Sequence, residues 1–267
     1  MGIKTGLGGS VDGQHTVRNW QVTETSENKD YGASNTRKGT GRKAGPKDWS
    51  GSFEAYRSSV TLMPGDKFNF TGHGIEEVSG PAIVDSIEVS CPIEDGDPIS
   101  LTVNFSGDGE LTKQAGTGDD ETVPDPPSAI GCKIEIGATP VEVSDVRSWS
   151  LTMSADNKEY RSSSTGGWTK REAGRLDIEG SYEVYADDST DLPDTGSFTP
   201  ILLYVGATDH YEIKWAAISQ VEPSVDAETG DIVGATISWE WSGFLEGDAG
   251  EVKLPGVAEA VWPESSE

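Results

Sequence analysis

Three histidines, two cysteines and 46 carboxylates are the residues of this chain that could do chemistry. His15, His73 and His210 are scattered, and none has a second ligand at the spacing a metal site needs. Asp95-Gly96-Asp97-Pro98 and the run from Asp226 to Asp231 have calcium-like acids but fall short of a twelve-residue EF-hand loop. Turn chemistry explains their Asp-Gly steps. Gly6 to Gly9 is glycine-rich, yet it lacks the lysine and the following helix of a phosphate-binding loop. Cys91 and Cys132 have no ligand spacing and stand in no nucleophile motif, so free thiols are expected. With so many acids, no carboxylate pair stands out for glycoside hydrolysis. These residues nominate no catalytic, metal or cofactor site. Trp239 and Trp241 lie two apart on one strand and could stack a sugar ring. A tandem β-sandwich binding module or adhesin recognising glycans is therefore the alternative reading.

Composition narrows the remaining classes. Hydrophobic residues are 34% of 267, while glycine (33) and proline (14) are plentiful, which favours short strands joined by turns. A net charge of −26 argues against gripping nucleic-acid phosphates, although it permits enclosing DNA without holding it. An acidic proteome from a saline habitat gives the same number. The N-terminus lacks a signal peptide's apolar region, and no run reaches the length of a membrane span. Synthesis in a cytoplasm is expected.

The elements that must position these residues come as a repeat. Residues 17–56 align with 146–185 without a gap at a constant offset of 129. Val17/Val146, Arg18/Arg147, Trp20/Trp149, Tyr31/Tyr160, Gly45/Gly174, Gly51/Gly180 and Tyr56/Tyr185 are identical. Ile99 to Gly107 parallels Ala235 to Gly243, and both alternate apolar with polar residues, the period of a strand with one buried face. From Val17 the alternation predicts Val17, Asn19 and Gln21 on one face and Arg18, Trp20 and Val22 on the other. Trp20 and Trp149 hold matching places and are expected in the core. Residues 107–127 are acidic, Gly- and Pro-rich, and read as a linker with a boundary near 125. No helix longer than about ten residues is expected.

Charge is segregated within the repeats. Residues 37–47 hold Arg37, Lys38, Arg42, Lys43 and Lys47 and no acid, and residues 161–175 hold Arg161, Lys170, Arg171 and Arg175 against Glu172 alone. A basic loop on an acidic molecule suggests contact with another copy of itself. A solvated loop that merely aids solubility is the plainer reading.

The pattern Arg147-Ser148-Trp149-Ser150-Leu151, a long polar loop, then Gly180-Ser181-Tyr182-Glu183 resembles the phage major tail protein family. Arg18-Asn19-Trp20-Gln21-Val22 and Trp49 to Glu54 repeat it in the first half. The resemblance implies an all-β chain of two tandem sandwich or barrel domains of the tail tube type, 1–125 and 126–267. It further implies a non-enzymatic structural protein of the virion tail, made in the host bacterial cytoplasm. Rings of such domains, six to a ring and hence three tandem chains, stack into a tube for DNA ejection. Its partners are then itself, tail tip and tail terminator proteins, with the tape measure protein and phage DNA in the lumen without specific binding. The family's long loop reaches the adjacent ring, which assigns inter-ring contact to the nine cations of the two basic stretches.

Overall fold

The computed structural model describes residues 10–11, 17–31, 41–56, 62–74, 76–115, 128–185, 192–225, 233–242, 244–245, 248–249 and 252–253. Strand is their dominant structure, and the one helical turn among them is the 3-10 segment Ser163–Thr165. The linker between the repeats lies outside the described residues from 116 to 127, and with it the expected boundary.

In the first repeat β1 (Ser10–Val11) precedes the long strand β2 (Val17–Ser26), the hairpin β3 (Lys29–Tyr31) and β4 (Gly41–Lys43), then β5 (Lys47–Tyr56). β6 (Lys67–His73), β7 (Glu76–Pro92), β8 (Ser100–Gly107) and β9 (Thr112–Ala115) complete it. After β10 (Ile134–Ile136) and β11 (Val141–Glu142), the second repeat runs through β12 (Val146–Ala155), the hairpin β13 (Lys158–Tyr160) and β14 (Lys170–Glu172), and β15 (Leu176–Tyr185). β16 (Phe198–Tyr204), β17 (His210–Ser224) and β18 (Gly234–Trp241) follow, then the two-residue strands β19 (Phe244–Leu245), β20 (Asp248–Ala249) and β21 (Val252–Lys253).

The two repeats do not form separate sheets. One antiparallel path runs β17-β18-β15-β12-β7-β8-β5-β2, and its middle joint is β12 of the second repeat against β7 of the first. Each repeat adds a second layer, β6 on the N-terminal half of β7 and β16 on that of β17. The core fills the space between the layers. Phe70 on β6 meets Phe105 on β8 at 4.7 Å and Trp20 on β2 at 5.8 Å, edge-on. Aromatic pairs of this kind add about 1 kcal/mol each beyond the area they bury.

Strand registers correspond between repeats. Gly51 pairs with Phe105 and Gly180 with Trp239. A Cβ at Gly51 would stand 2.6 Å from the Phe105 ring, and one at Gly180 would stand 2.3 Å from the Trp239 indole, so each glycine makes room for a core aromatic. The closing strands therefore match at an offset of 134 (Phe105 to Trp239), two residues away from the match expected from sequence, which set Phe105 against Trp241. A two-residue slip preserves the inward face and is invisible to an alternation pattern. β7 has a register shift between Val84 and Ser86, and β17 has its own between Ile218 and Gln220, again 134 apart.

The start of β2 also departs from strict alternation. A bulge lies between Val17 and Asn19, and another between Val146 and Ser148. It turns Val17 onto the face of Trp20, opposite Ala55, and leaves Arg18 beside Glu54. Strict alternation had put Val17 with Asn19. A bulge inserts one residue and so resets the parity.

Candidate assembly interface

Inside the chain, the joint between the repeats is a complete strand-to-strand seam. β12 pairs with β7 from Ser148↔Pro92 to Ser154↔Ser86. Trp149, Leu151 and Met153 from one strand and Cys91, Val89 and Ile87 from the other are all buried there. Cys91 and Cys132 are free thiols within this core, and the neighbouring Cys132 together with burial pushes the Cys91 thiol far up, so it is inert packing. At the end of the seam Arg147 Nε donates to Glu94 Oε2 at 2.7 Å.

The β13–β14 hairpin of the second repeat folds over the first. The backbone of Lys47 donates to Gly167 O at 2.9 Å and accepts from Thr169 N at 3.2 Å. Trp168 is buried, with the Lys47 ammonium 5.0 Å from its ring centre. Arg171 is the anchor. Its guanidinium forks onto Asp48 (Nη1–Oδ1 2.9 Å, Nη2–Oδ2 2.7 Å) and also donates to Gly107 O. Its own backbone N–H donates to Asp108 Oδ1 at 2.6 Å. Glu159, across the hairpin, stands 3.5 Å away. Burial works against the Arg171 charge, but the Asp48 hydrogen bonds and charge, joined by the charges of Asp85 and Glu159, together hold the pKa above its ordinary value.

Of the cations assigned to inter-ring contact from sequence, Arg171 is thus spent within the chain. Lys170 Nζ donates to Asp108 O, and Arg161 donates to Thr169 Oγ1 at 3.0 Å while lying 3.7 Å from Glu27 of the first repeat. Lys47 pairs with Glu24 at 3.4 Å. Arg42 is 72% exposed and pairs only across its own hairpin, with Asp30 at 3.1 Å. Lys43 and Arg175 are exposed, and Arg37 and Lys38 lie outside the described residues. Trp149 is buried, whereas its counterpart Trp20 is half-buried and donates Nε1–H to His73 O at 3.2 Å. Sequence reasoning missed Asp48, Asp108 and Trp168. Trp168 did carry a signal, an aromatic inside a polar basic loop where the first repeat has Gly39.

The eight-strand path has a second face, away from the core. It is made of Ser, Thr, Asn, Gln and acids. Gln21 donates to Ser52 Oγ at 3.1 Å, Asn104 to Ser86 Oγ at 2.9 Å, and the Ser150 and Ser181 hydroxyls meet at 3.0 Å. Arg18 lies 4.0 Å from Glu54 and 5.1 Å above the Tyr56 ring, and Arg147 lies 3.9 Å from Glu183 and 4.8 Å above Tyr185. Glu179 and Glu240 sit directly across from one another, a like-charge pairing that costs stability.

The remaining sequence candidates form no site. His73 lies 3.5 Å from Glu77, His210 lies 3.0 Å from Thr208 O, and His15 is outside the described residues. Among the described residues no cluster of three metal-binding side chains occurs. Gly96 turns the chain at φ 67°, and the run 226–231 is outside the described residues. Trp239 is buried in the core, so the two-tryptophan sugar platform does not exist.

A family description, phage tail tube protein, matches residues 30–241. The chain belongs to that family. The match takes in every strand of the eight-strand path except β2, which lies ahead of it. No curated protein matches the chain. Membership makes this tail tube protein a structural component of the virion tail, one that assembles with copies of itself and other tail proteins into a tube. The family is not enzymatic. The glycan-binding alternative is not favoured.

Proposed function

We propose that each repeat acts as one tail-tube domain and that three copies of the chain close head to tail into a ring of six repeats. Rings stack into the channel for DNA ejection. The observation that carries this reading is the seam between β12 and β7, in which one repeat already adds its first long strand to the edge of the other. β2 at one end of the eight-strand path is the counterpart of β12, sharing Val17/Val146, Arg18/Arg147, Trp20/Trp149 and Thr23/Thr152 with it, and its outer edge has no described strand partner except its flank on β1. At the other end, β16 covers β17 only up to Ala217. A heterologous interface that repeats by rotation closes into a ring, and closure removes both edges. Eight strands per chain give a barrel of about 24, roughly 50 Å across for a spacing of ~4.8 Å and a tilt of ~40°.

The Ser/Thr-rich acidic face then lines the bore. Its arginines are neutralised by Glu54 and Glu183, so the wall repels phosphate and lets DNA slide. Lys43 and Arg175, exposed on or just after the hairpins, are left to meet acidic surface on the next ring. Cryo-electron microscopy of assembled protein tests the reading. Threefold rings with pseudo-sixfold density are expected, and six chains per ring would overturn it. Tail tip, tail terminator and tape measure proteins are the partners this role calls for.

A further inference from the structure

The internal seam specifies, residue by residue, what the open edges of the chain are shaped to receive. We infer that β2 of one copy adds to the β17 edge of another in the register Trp20↔Val225 and Gln21↔Ser224, and that Arg42 of the first copy forks onto Asp177 of the second. The inference rests on the ring reading above, and it adds the contacts.

The register follows from two offsets. β2 matches β12 at 129, and β17 matches β7 at 134 through its bulge. Trp149↔Cys91 therefore becomes Trp20↔Val225, and Ser150↔Ser90 becomes Gln21↔Ser224. Burial agrees with this mapping. Cys91 is fully buried beside Trp149, while Val225 is 68% exposed, an aliphatic side chain at a position that is core in the other repeat. Trp20 is correspondingly less buried than Trp149.

The fork has the same logic. Asp48 and Asp177 are 129 apart and begin β5 and β15 alike. Asp48 Oδ1 accepts from Trp49 N at 2.8 Å and Asp177 Oδ1 from Ile178 N at 3.1 Å. Asp48 also receives Arg171, whereas among the described residues no cation pairs with the exposed Asp177. Arg42 is the image of Arg171, and its pairing with Asp30 is the image of that between Arg171 and Glu159. The hairpin is preformed, and its guanidinium fork faces solvent. A bidentate Arg–carboxylate pair sets geometry as well as attraction. The backbone leaves room too. A Cβ added at Gly65 would stand 3.2 Å from that of Ala173, while one added at its counterpart Gly196 would meet nothing within 4 Å.

The seam between copies is more polar than the internal one. Glu24 stands where β12 has Met153, and Pro223 where β7 has Val89. A charge and a proline on exposed edges discourage indiscriminate pairing before the correct partner arrives.

Cysteine cross-linking tests the register. Full-length Gln21→Cys and Ser224→Cys chains, each checked by thermal melting, are mixed, driven to assemble and oxidised. Paired strand positions lie about 4.5–5.5 Å apart at Cα, within disulfide reach. A covalent heterodimer is expected from this mixture. None is expected from Gln21→Cys mixed with Gln220→Cys, four residues off register. Assembly with no cross-link at 224, or with one at 220, overturns the inference and leaves the ring reading standing. Failure of the wild type to assemble at any concentration, salt or nucleating template overturns both. For the fork, Arg42→Asp and Asp177→Arg should each raise the concentration needed for assembly at least tenfold, and their combination should bring it back to within about threefold. Singles that assemble like wild type remove the fork.

Discussion

The β13–β14 hairpin and the β3–β4 hairpin are related in sequence, sharing Tyr31/Tyr160, Thr40/Thr169 and Arg42/Arg171, and end in different surroundings. Arg171 in the former is 11% exposed and bound to Asp48, while Arg42 in the latter is 72% exposed and touches only its own hairpin. Chain order makes the difference. The second repeat's hairpin folds onto Asp48 of the first repeat, while among the described residues the first repeat's arginine meets only Asp30 of its own hairpin. On the proposed ring, the feature satisfied in cis by Arg171 is the one that Arg42 would satisfy in trans.

The largest effect separating the two sides should come from the tryptophans. Trp149→Ala removes a buried side chain from the closed seam and is expected to destabilise the chain by about 3–5 kcal/mol. Trp20→Ala, half-buried at an open edge, should cost about half of that in the unassembled chain. Denaturant unfolding of both variants measures the gap. Equal losses would mean that the edge of β2 is already covered.

Next come the two arginines. Arg171→Met leaves Asp48 and Gly107 O without their donor, and a loss of about 3 kcal/mol is expected. Arg42→Met should change the melt of the unassembled chain by less than about 0.5 kcal/mol, as exposed substitutions do. Equal melts for the pair would erase the comparison.

The combined Lys43→Gln and Arg175→Gln variant should fold like wild type and stack less well. Each exposed ion pair contributes about 0.2–1 kcal/mol, and symmetry repeats it around a ring. Electron microscopy of tube length in rising salt reads this out. Tubes of normal length from the variant would make these cations merely solvated.

The smallest effect sharpens the polar difference between the seams. The Lys113 hydrogen bond lowers the Glu24 pKa below the ordinary 4.5, opposed by burial and helped less by Lys47. A lowered carboxyl pKa stabilises the fold fully above the unfolded value, and that contribution fades as pH falls through the folded one. Melting temperature should therefore drop below about pH 4.5, and Glu24→Gln should flatten that drop by a few tenths of a kcal/mol at most, since the pair is partly exposed. An unchanged acid limb in the variant would show that Glu24 adds nothing.

The sequence by itself determined the all-β character, the duplication, the inward tryptophans and the basic loops, because these rest on local alternation, on self-similarity and on composition. It also carried enough strand pattern to point to the tail tube family. It could not see the bulges at Arg18 and Arg147 or the two-residue slip of the closing strand. One residue resets the parity of a strand and two leave it unchanged, so hydrophobic pattern misleads in the first case and is blind in the second. Nor could it tell Arg171 from Arg42. Both are arginines in polar loops, and only the tertiary structure sets one against Asp48 and leaves the other in solvent, since Asp48 lies on the other repeat from Arg171 and far from it in sequence.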